Sequence, residues 1–250
     1  MTLIRAFLQS VSMFTVLPVP RLRWSPRADR YMLAVFPLVG IFVGGVWYSA
    51  AFLLVYLQVP EIPAAAVLTA VPFLLTGFLH LDGFMDVCDA LLSCREPAAR
   101  RQIRKDPHVG AFAVISFGFL LLLEFACMTS LFEKSERLLL LFLLPVFSRG
   151  LSAFFLLSFP ILPDSRMGKW LRQNTALPQK AVTLGMAILS VSVSIWFGGI
   201  AGGATFLAAG TAGTLAAWHA CRNFGGISGD AAGYALILCE AAGIVCLSLL

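Results

Sequence analysis

Three aspartates in the stretch 79-LHLDGFMDVCDALL-92 are the side chains of this chain best placed to do chemistry. On a helix, Asp82, Asp86 and Asp89 project within a sector of about 60°. Apolar sequence flanks them, and each carboxylate would cost about 2.5–3.5 kcal/mol at a bilayer centre. A divalent cation explains such a cluster, since Mg²⁺ or Mn²⁺ takes hard oxygen ligands and leaves positions open for phosphate. Gly83 would let a bulky substrate approach the backbone.

The alternative interpretation of the three aspartates is a solvated helix end whose carboxylates pair with arginines of the next loop. One or two aspartates would fit that interpretation well. Three on one face of an apolar span fit it poorly, so the spacing favours a metal site.

The segment that follows, 95-REPAARRQIRKDPHVGAF-112, is strongly basic. Asp106 is a candidate fourth carboxylate for the metal. Arg104, Lys105 and His108 are placed to bind phosphate oxygens, which guanidinium and ammonium groups hold well. The alternative is that these charges serve only to orient the chain in a membrane.

The composition predicts a membrane protein. The 250 residues are 59% hydrophobic and 12% charged, with a mean hydropathy of +0.88. Values this high are typical of chains that cross a bilayer several times. The net charge of +5 is then explained by basic cytoplasmic loops, so nucleic acid is not an expected partner.

A spanning helix needs about 20 mostly apolar residues. We predict an all-α bundle forming one integral membrane domain over residues 1–250, with an interfacial or re-entrant helix in residues 1–20. Seven spans are expected, near 32–58, 63–85, 109–131, 138–159, 181–199, 201–220 and 230–250.

Basic residues occur in every second connection between these spans. They lie in 21–30, 95–105 and 166–180 and at Arg222. Because cytoplasmic loops carry the excess of lysine and arginine, this alternation places the N-terminus and these loops in the cytoplasm.

Charged residues also lie in the middle of three predicted spans, at Glu124, Arg149 and Glu240. Charges at this depth are usually buried in the bundle and paired. We expect pairing between helices, for example of Arg149 with Glu124.

Carboxylates that bind a divalent metal beside a basic loop suggest phosphoryl transfer with a nucleotide leaving group. CDP-alcohol phosphotransferases of phospholipid synthesis use such chemistry. Their aspartate array begins D-x-x-D-G, however, and this chain has D-G-x-x-D-x-x-D. A secondary transporter with the carboxylates as ion sites is a further alternative, although no internal repeat is evident.

A closer resemblance is carried by HLDGFMDVCDAL (80–91) followed by RKDPHVGAF (104–112). These stretches resemble the HLDGLADxxDGL and MKDSRxGAFG motifs of the cobalamin synthase family, the adenosylcobinamide-GDP ribazoletransferases. Four further pieces of the family pattern occur in the same order: FTVLPVP (14–20), FPLVG (36–40), SRG (148–150) and GGISGD (225–230).

The resemblance implies a Mg²⁺-dependent enzyme of the bacterial cytoplasmic (inner) membrane. It would join adenosylcobinamide-GDP to α-ribazole or its 5′-phosphate and release GMP. Asp82, Asp86 and Asp106 would hold the metal, and Asp89 would be a further ligand or the general base. A homo-oligomer is compatible with this expectation. The substrate-binding residues implied are His80, Gly83, Arg104, Lys105, His108, Arg149, Ser228 and Asp230.

Overall fold

The computed structural model describes residues 1–20, 24–134, 137–173 and 175–250. Its elements are all helices, which confirms the predicted all-α membrane bundle. They are α1 (Thr2–Phe14), α2 (Pro26–Asp29), α3 (Met32–Tyr56), α4 (Glu61–Leu75), α5 (Leu79–Leu92), α6 (Pro97–Ile103), α7 (Ala111–Glu133), α8 (Leu140–Ser158), α9 (Arg166–Arg172), α10 (Leu177–Phe224) and α11 (Gly229–Leu249).

In the described ranges, five helices are long and apolar enough to cross a membrane, and α4 with α5 forms a bent sixth candidate. The five are α3, α7, α8, α10 and α11. The observed α3, α7, α8 and α11 begin and end within two residues of four predicted spans. Among them α8 is mostly buried, packed between α3, α10 and α11.

The predicted span over 63–85 is not one continuous helix, because the chain bends by 92° between α4 and α5. Gly77 (φ 57°) and Phe78 (φ 61°) both have left-handed backbone conformations, which end α4 and redirect the chain. The extended segment after α1 packs on this bend, where the Val16 amide donates to the Leu75 carbonyl at 2.9 Å. The bend therefore separates the apolar α4 from the acidic α5.

The predicted spans 181–199 and 201–220 both lie in α10, which folds back on itself at Gly199. Gly199 has φ 54° and ψ −136°, a conformation that only glycine adopts readily. The Ser194 hydroxyl lies 3.4 Å from the Gly202 carbonyl, although residues eight apart on a straight helix are separated by about 12 Å. Two arms of α10 therefore run in opposite directions.

The basic connections meet at one end of the bundle. Arg101 Nη1 donates to the carbonyl of Phe224, the last residue of α10, at 3.0 Å. At the opposite end, Lys134 Nζ donates to the Ser248 carbonyl at 2.7 Å. The connections that carry the basic residues thus lie together, although residues 21–23, with two of the predicted arginines, lie outside the described residues.

Candidate active site

The three aspartates Asp82, Asp86 and Asp89 lie together on α5. Asp82 is exposed, and Asp86 and Asp89 are half-buried. The opposite face of α5 enters the core through Leu81 and Val87, among others. This apolar packing holds the acidic face of α5 toward the end of the bundle where the basic connections meet.

A fourth carboxylate faces α5 from the first turn of α11. A Cβ atom on Gly83 would lie only 2.9 Å from the Asp230 Cα, so the two backbones touch because residue 83 is glycine. The negative charges of Asp82, Asp230 and Asp89 all act on Asp86. Asp230 thus belongs to the acidic cluster, a position that sequence spacing left undefined.

Ser228 fixes the beginning of α11. Its hydroxyl accepts a hydrogen bond from the Ala231 amide at 3.2 Å, which caps the helix. Just before it, the Ile227 amide donates to the Pro160 carbonyl at 2.7 Å. These contacts hold the Gly-rich turn 225–230 rigidly, so Ser228 positions Asp230 in the structure.

Two basic side chains of the 95–112 segment, Arg104 and Lys105, lie beside the acidic cluster. The buried guanidinium of Arg104 pairs with Asp230 and lies 3.9 Å from Asp164, while the half-exposed Lys105 pairs with Asp164. The hydrogen bond from Lys105 lowers the pKa of Asp164, so this pair is complete at neutral pH and is lost only as pH falls through that lowered pKa. Sequence reasoning missed Asp164, which stands alone in a basic loop.

Asp106 and His108 pair with each other at the surface. The His108 backbone amide donates to Asp106 Oδ1 at 3.0 Å, and its Nδ1 lies 2.7 Å from the same oxygen. These bonds lower the pKa of Asp106. Among the described residues, the groups acting on Asp106 belong to His108, not to α5. The structure therefore does not bring Asp106 to Asp82, Asp86 and Asp89.

Asp89 packs instead against the beginning of α7. Its carboxylate occupies the space that a side chain at Gly110, the N-cap residue of α7, would need. A negative charge at a helix N-terminus is favourable, because unpaired amide groups and the helix dipole point toward it. This contact anchors the connection that carries Arg104 and Lys105.

A cavity opens beside Asp82 and Asp230. Apolar side chains from α1, α3, α8, α9 and α11 form most of its walls, and His80 contributes an imidazole. The lining residues are Phe14, Leu33, Phe36, Leu79, His80, Asp82, Ser152, Ala153, Leu156, Met167, Leu171, Gly229, Asp230, Ala232 and Gly233.

Arg149 pairs with Glu240, which corrects the expected pairing with Glu124. Its Nη1 lies 2.8 Å from Glu240 Oε1, and the Ser148 hydroxyl donates to the same oxygen at 2.5 Å. Arg149 is 1% exposed and is not among the residues that line the cavity. The arginine thus ties α8 to α11 in the bundle interior.

The donor set fits a hard divalent cation by its chemistry, but not by its present spacing. Asp82, Asp86 and Asp230 offer carboxylate oxygens from two facing helices, opposed by one guanidinium, that of Arg104. Within the four described ranges, no three His, Cys, Asp or Glu side chains form a ready-made metal group. Binding would therefore require small side-chain movements in the cluster.

Fold and site together define a multi-pass helical membrane protein whose acidic cluster meets a basic connection at one end of the bundle. A family model described as Cobalamin-5-phosphate synthase matches residues 6–248. The chain belongs to this family. It is an enzyme of the transferase class, as the names of its curated relatives state.

Several curated relatives match over nearly their whole length, and each is named adenosylcobinamide-GDP ribazoletransferase. One from Clostridium perfringens is 38% identical over 98% of both chains. One from Clostridium botulinum is 35% identical over 97% of this chain and 96% of its own, and one from Stutzerimonas stutzeri is 32% identical over 90% and 89%. No solved structure matches the chain.

Proposed function

We propose that this protein joins adenosylcobinamide-GDP to α-ribazole or its 5′-phosphate, giving adenosylcobalamin or its 5′-phosphate and releasing GMP. A ribose hydroxyl of the acceptor attacks the phosphorus next to the cobinamide, and the bond to GMP breaks. The observation that carries this proposal is the full-length relationship to transferases of that name, together with the acidic cluster that α11 completes.

The basic residues beside the cluster are suited to the diphosphate. Arg104 and Lys105 lie next to Asp230 and Asp164, and their charges are now satisfied by those carboxylates. An incoming phosphate would share or replace these contacts, since charge-assisted hydrogen bonds to phosphate are strong. The pairs thus preorganise the two cations for the nucleotide part of the substrate.

The carboxylates have two roles in this scheme. Asp86 and Asp230 would hold Mg²⁺ or Mn²⁺, which when bound neutralises charge on the diphosphate. Asp89 is anchored against α7, which favours a structural role over that of general base. Asp82 is exposed at the mouth of the cavity and is the better placed carboxylate to accept the proton of the attacking hydroxyl.

The direct test is product analysis with purified protein in detergent. Adenosylcobinamide-GDP, α-ribazole 5′-phosphate and Mg²⁺ should give a cobalamin product and GMP in equal amounts. Omission of either substrate should abolish both products. A CDP-alcohol substrate with release of CMP would instead indicate the phospholipid-type alternative, and no chemistry with either pair would contradict both.

We place the acidic cluster on the cytoplasmic side of the bacterial inner membrane, with both arms of α10 crossing the bilayer. The basic connections gather at that end, as the positive-inside rule requires. Cys94 is a free, exposed cysteine at this end. In sealed vesicles, it should react with an impermeant maleimide only from the cytoplasmic side.

A matched variant tests the opposite end of the bundle. In a Cys94→Ser background, Glu61→Cys introduces a thiol at an exposed position at the beginning of α4. This thiol should react only from the outer side. Labelling of Cys94 and Glu61→Cys from the same side would rule out the proposed orientation.

Lys105 provides a test of the phosphate contact. We expect Lys105→Ala to raise KM for adenosylcobinamide-GDP about tenfold, since a hydrogen bond to a charged group contributes about 1.5–3 kcal/mol. The side chain is half-exposed, so the melting temperature should barely change. Arg95→Ala, an exposed basic residue of the same connection, is the control and should leave KM unaltered. Equal KM values for Lys105→Ala and Arg95→Ala would show that the basic residues of this connection serve only to orient the chain in the membrane.

A further inference from the structure

Aromatic rings surround one part of the cavity beside the carboxylates. The ring centroids of Phe14 and Phe36 lie 4.4 Å apart, and the His80 imidazole is stacked near Phe14 at 6.2 Å with an interplanar angle of 20°. Leu33 and Leu156 extend the apolar wall. Flat rings pack favourably in such surroundings.

His80 is the polar exception in this wall. It is 7% exposed, and its Nε2 is buried without a hydrogen-bond partner among the described residues. A buried polar atom left unpaired costs about 1–3 kcal/mol, so native proteins seldom retain one without a purpose. The neighbouring Ser152 hydroxyl is already engaged, donating to the Ala232 carbonyl at 3.0 Å. His80 is thus the buried polar group of the wall that still lacks a partner.

The opposite edge of the cavity is acidic. Asp82 and Asp230 line it, at the place where the proposed function puts the reacting hydroxyl and the diphosphate. A ligand that fits the whole cavity therefore has a flat apolar ring at one end and a hydroxyl-bearing sugar at the other.

We propose that this cavity binds the base of the acceptor nucleoside as a benzimidazole-type ring, with His80 Nε2–H donating to its single free ring nitrogen. The assignment rests on the proposed function, which supplies a nucleoside acceptor. Guanine carries several polar groups that this apolar wall would leave unpaired. The ribose then lies at Asp82, and His80 selects the acceptor.

Binding can be tested without turnover, using free benzimidazole as the probe. Benzimidazole should raise the melting temperature of the purified protein, whereas indole, a ring of the same shape without an acceptor nitrogen, should raise it less. His80→Phe keeps an aromatic ring and removes the donor, so the difference between the two probes should vanish. His219→Phe, at an exposed histidine of α10, is the matched control and should retain the difference.

Kinetics provide the second readout. His80→Phe should raise KM for α-ribazole about tenfold, the effect of one lost hydrogen bond, and leave KM for adenosylcobinamide-GDP unchanged. If His80→Phe binds benzimidazole and α-ribazole as well as the wild type does, the assignment is wrong. A wild-type protein that shows the benzimidazole preference but forms no product would contradict the proposed function alone.

A second variant keeps the test decisive if His80→Phe does not fold. Leu156→Phe adds bulk to the apolar wall without touching the imidazole, and residue 156 is otherwise surrounded by apolar neighbours. It should abolish protection by benzimidazole and raise KM for α-ribazole at least tenfold. Unchanged protection in Leu156→Phe would show that the ring binds elsewhere.

Discussion

Asp86→Asn is expected to lower turnover about a thousandfold. Asparagine keeps the size of the side chain and one oxygen but removes the negative charge that a hard divalent cation requires. A loss of about 4 kcal/mol of transition-state stabilisation corresponds to that factor. The measurement is Mg²⁺-dependent GMP release per mole of purified variant, compared with the wild type.

The melting temperature of Asp86→Asn distinguishes loss of the metal site from damage to the fold. The neighbours that act on Asp86 are three carboxylates and one guanidinium, so removing its charge relieves net repulsion. The metal-free variant should melt at or above the temperature of the wild type. Glu96→Gln, at an exposed acid before α6, controls for loss of a negative charge in the connection that follows α5. Full Mg²⁺-dependent activity in Asp86→Asn would end the metal-site hypothesis.

The largest effect on stability is expected at Arg149. Arg149→Met would leave the Glu240 carboxylate buried in the bundle without its cation. Breaking a buried ion pair by removing one partner costs about 3–5 kcal/mol. The variant should therefore unfold at a much lower SDS fraction in mixed micelles, monitored by helical circular dichroism.

The double variant Arg149→Met/Glu240→Gln is the informative comparison. It removes both charges, so most of the stability should return, and the glutamine can still accept the hydrogen bond from Ser148. Arg222→Met is the control, since Arg222 is exposed and its guanidinium stacks over the Trp218 ring at 5.3 Å. If the single and double variants are equally destabilised, the pair does not act as a unit.

Hydrophobic length and charge alternation predicted the helical bundle well, because lipid imposes both on the sequence. The positions of Asp82, Asp86 and Asp89 on one helix followed equally well from helical periodicity. The bend at Gly77 and Phe78 could not be predicted from the sequence, since the bent segment has the apolar length of a straight span. A left-handed pair of residues stabilised by Val16 depends on tertiary contacts.

Partners across helices were the least predictable feature of the site. Periodicity gives the depth of a charge in the bundle but not the helix that it faces, so Arg149 was assigned to Glu124 rather than Glu240. Asp106 was expected at the metal as a fourth carboxylate, yet a local bond to His108 keeps it at the surface. Asp230 could be placed only from the packing of α11 on α5.

That packing also has a consequence for the biogenesis of the enzyme. Arg104 and Asp230 are separated by 126 positions in the chain, and Asp230 belongs to α11. A chain still emerging from the ribosome can insert α5 and the basic connection long before α11 exists. On the proposed function, catalytic competence then begins only when α11 enters the membrane, so a chain truncated before residue 229 would remain inert with all three α5 aspartates in place.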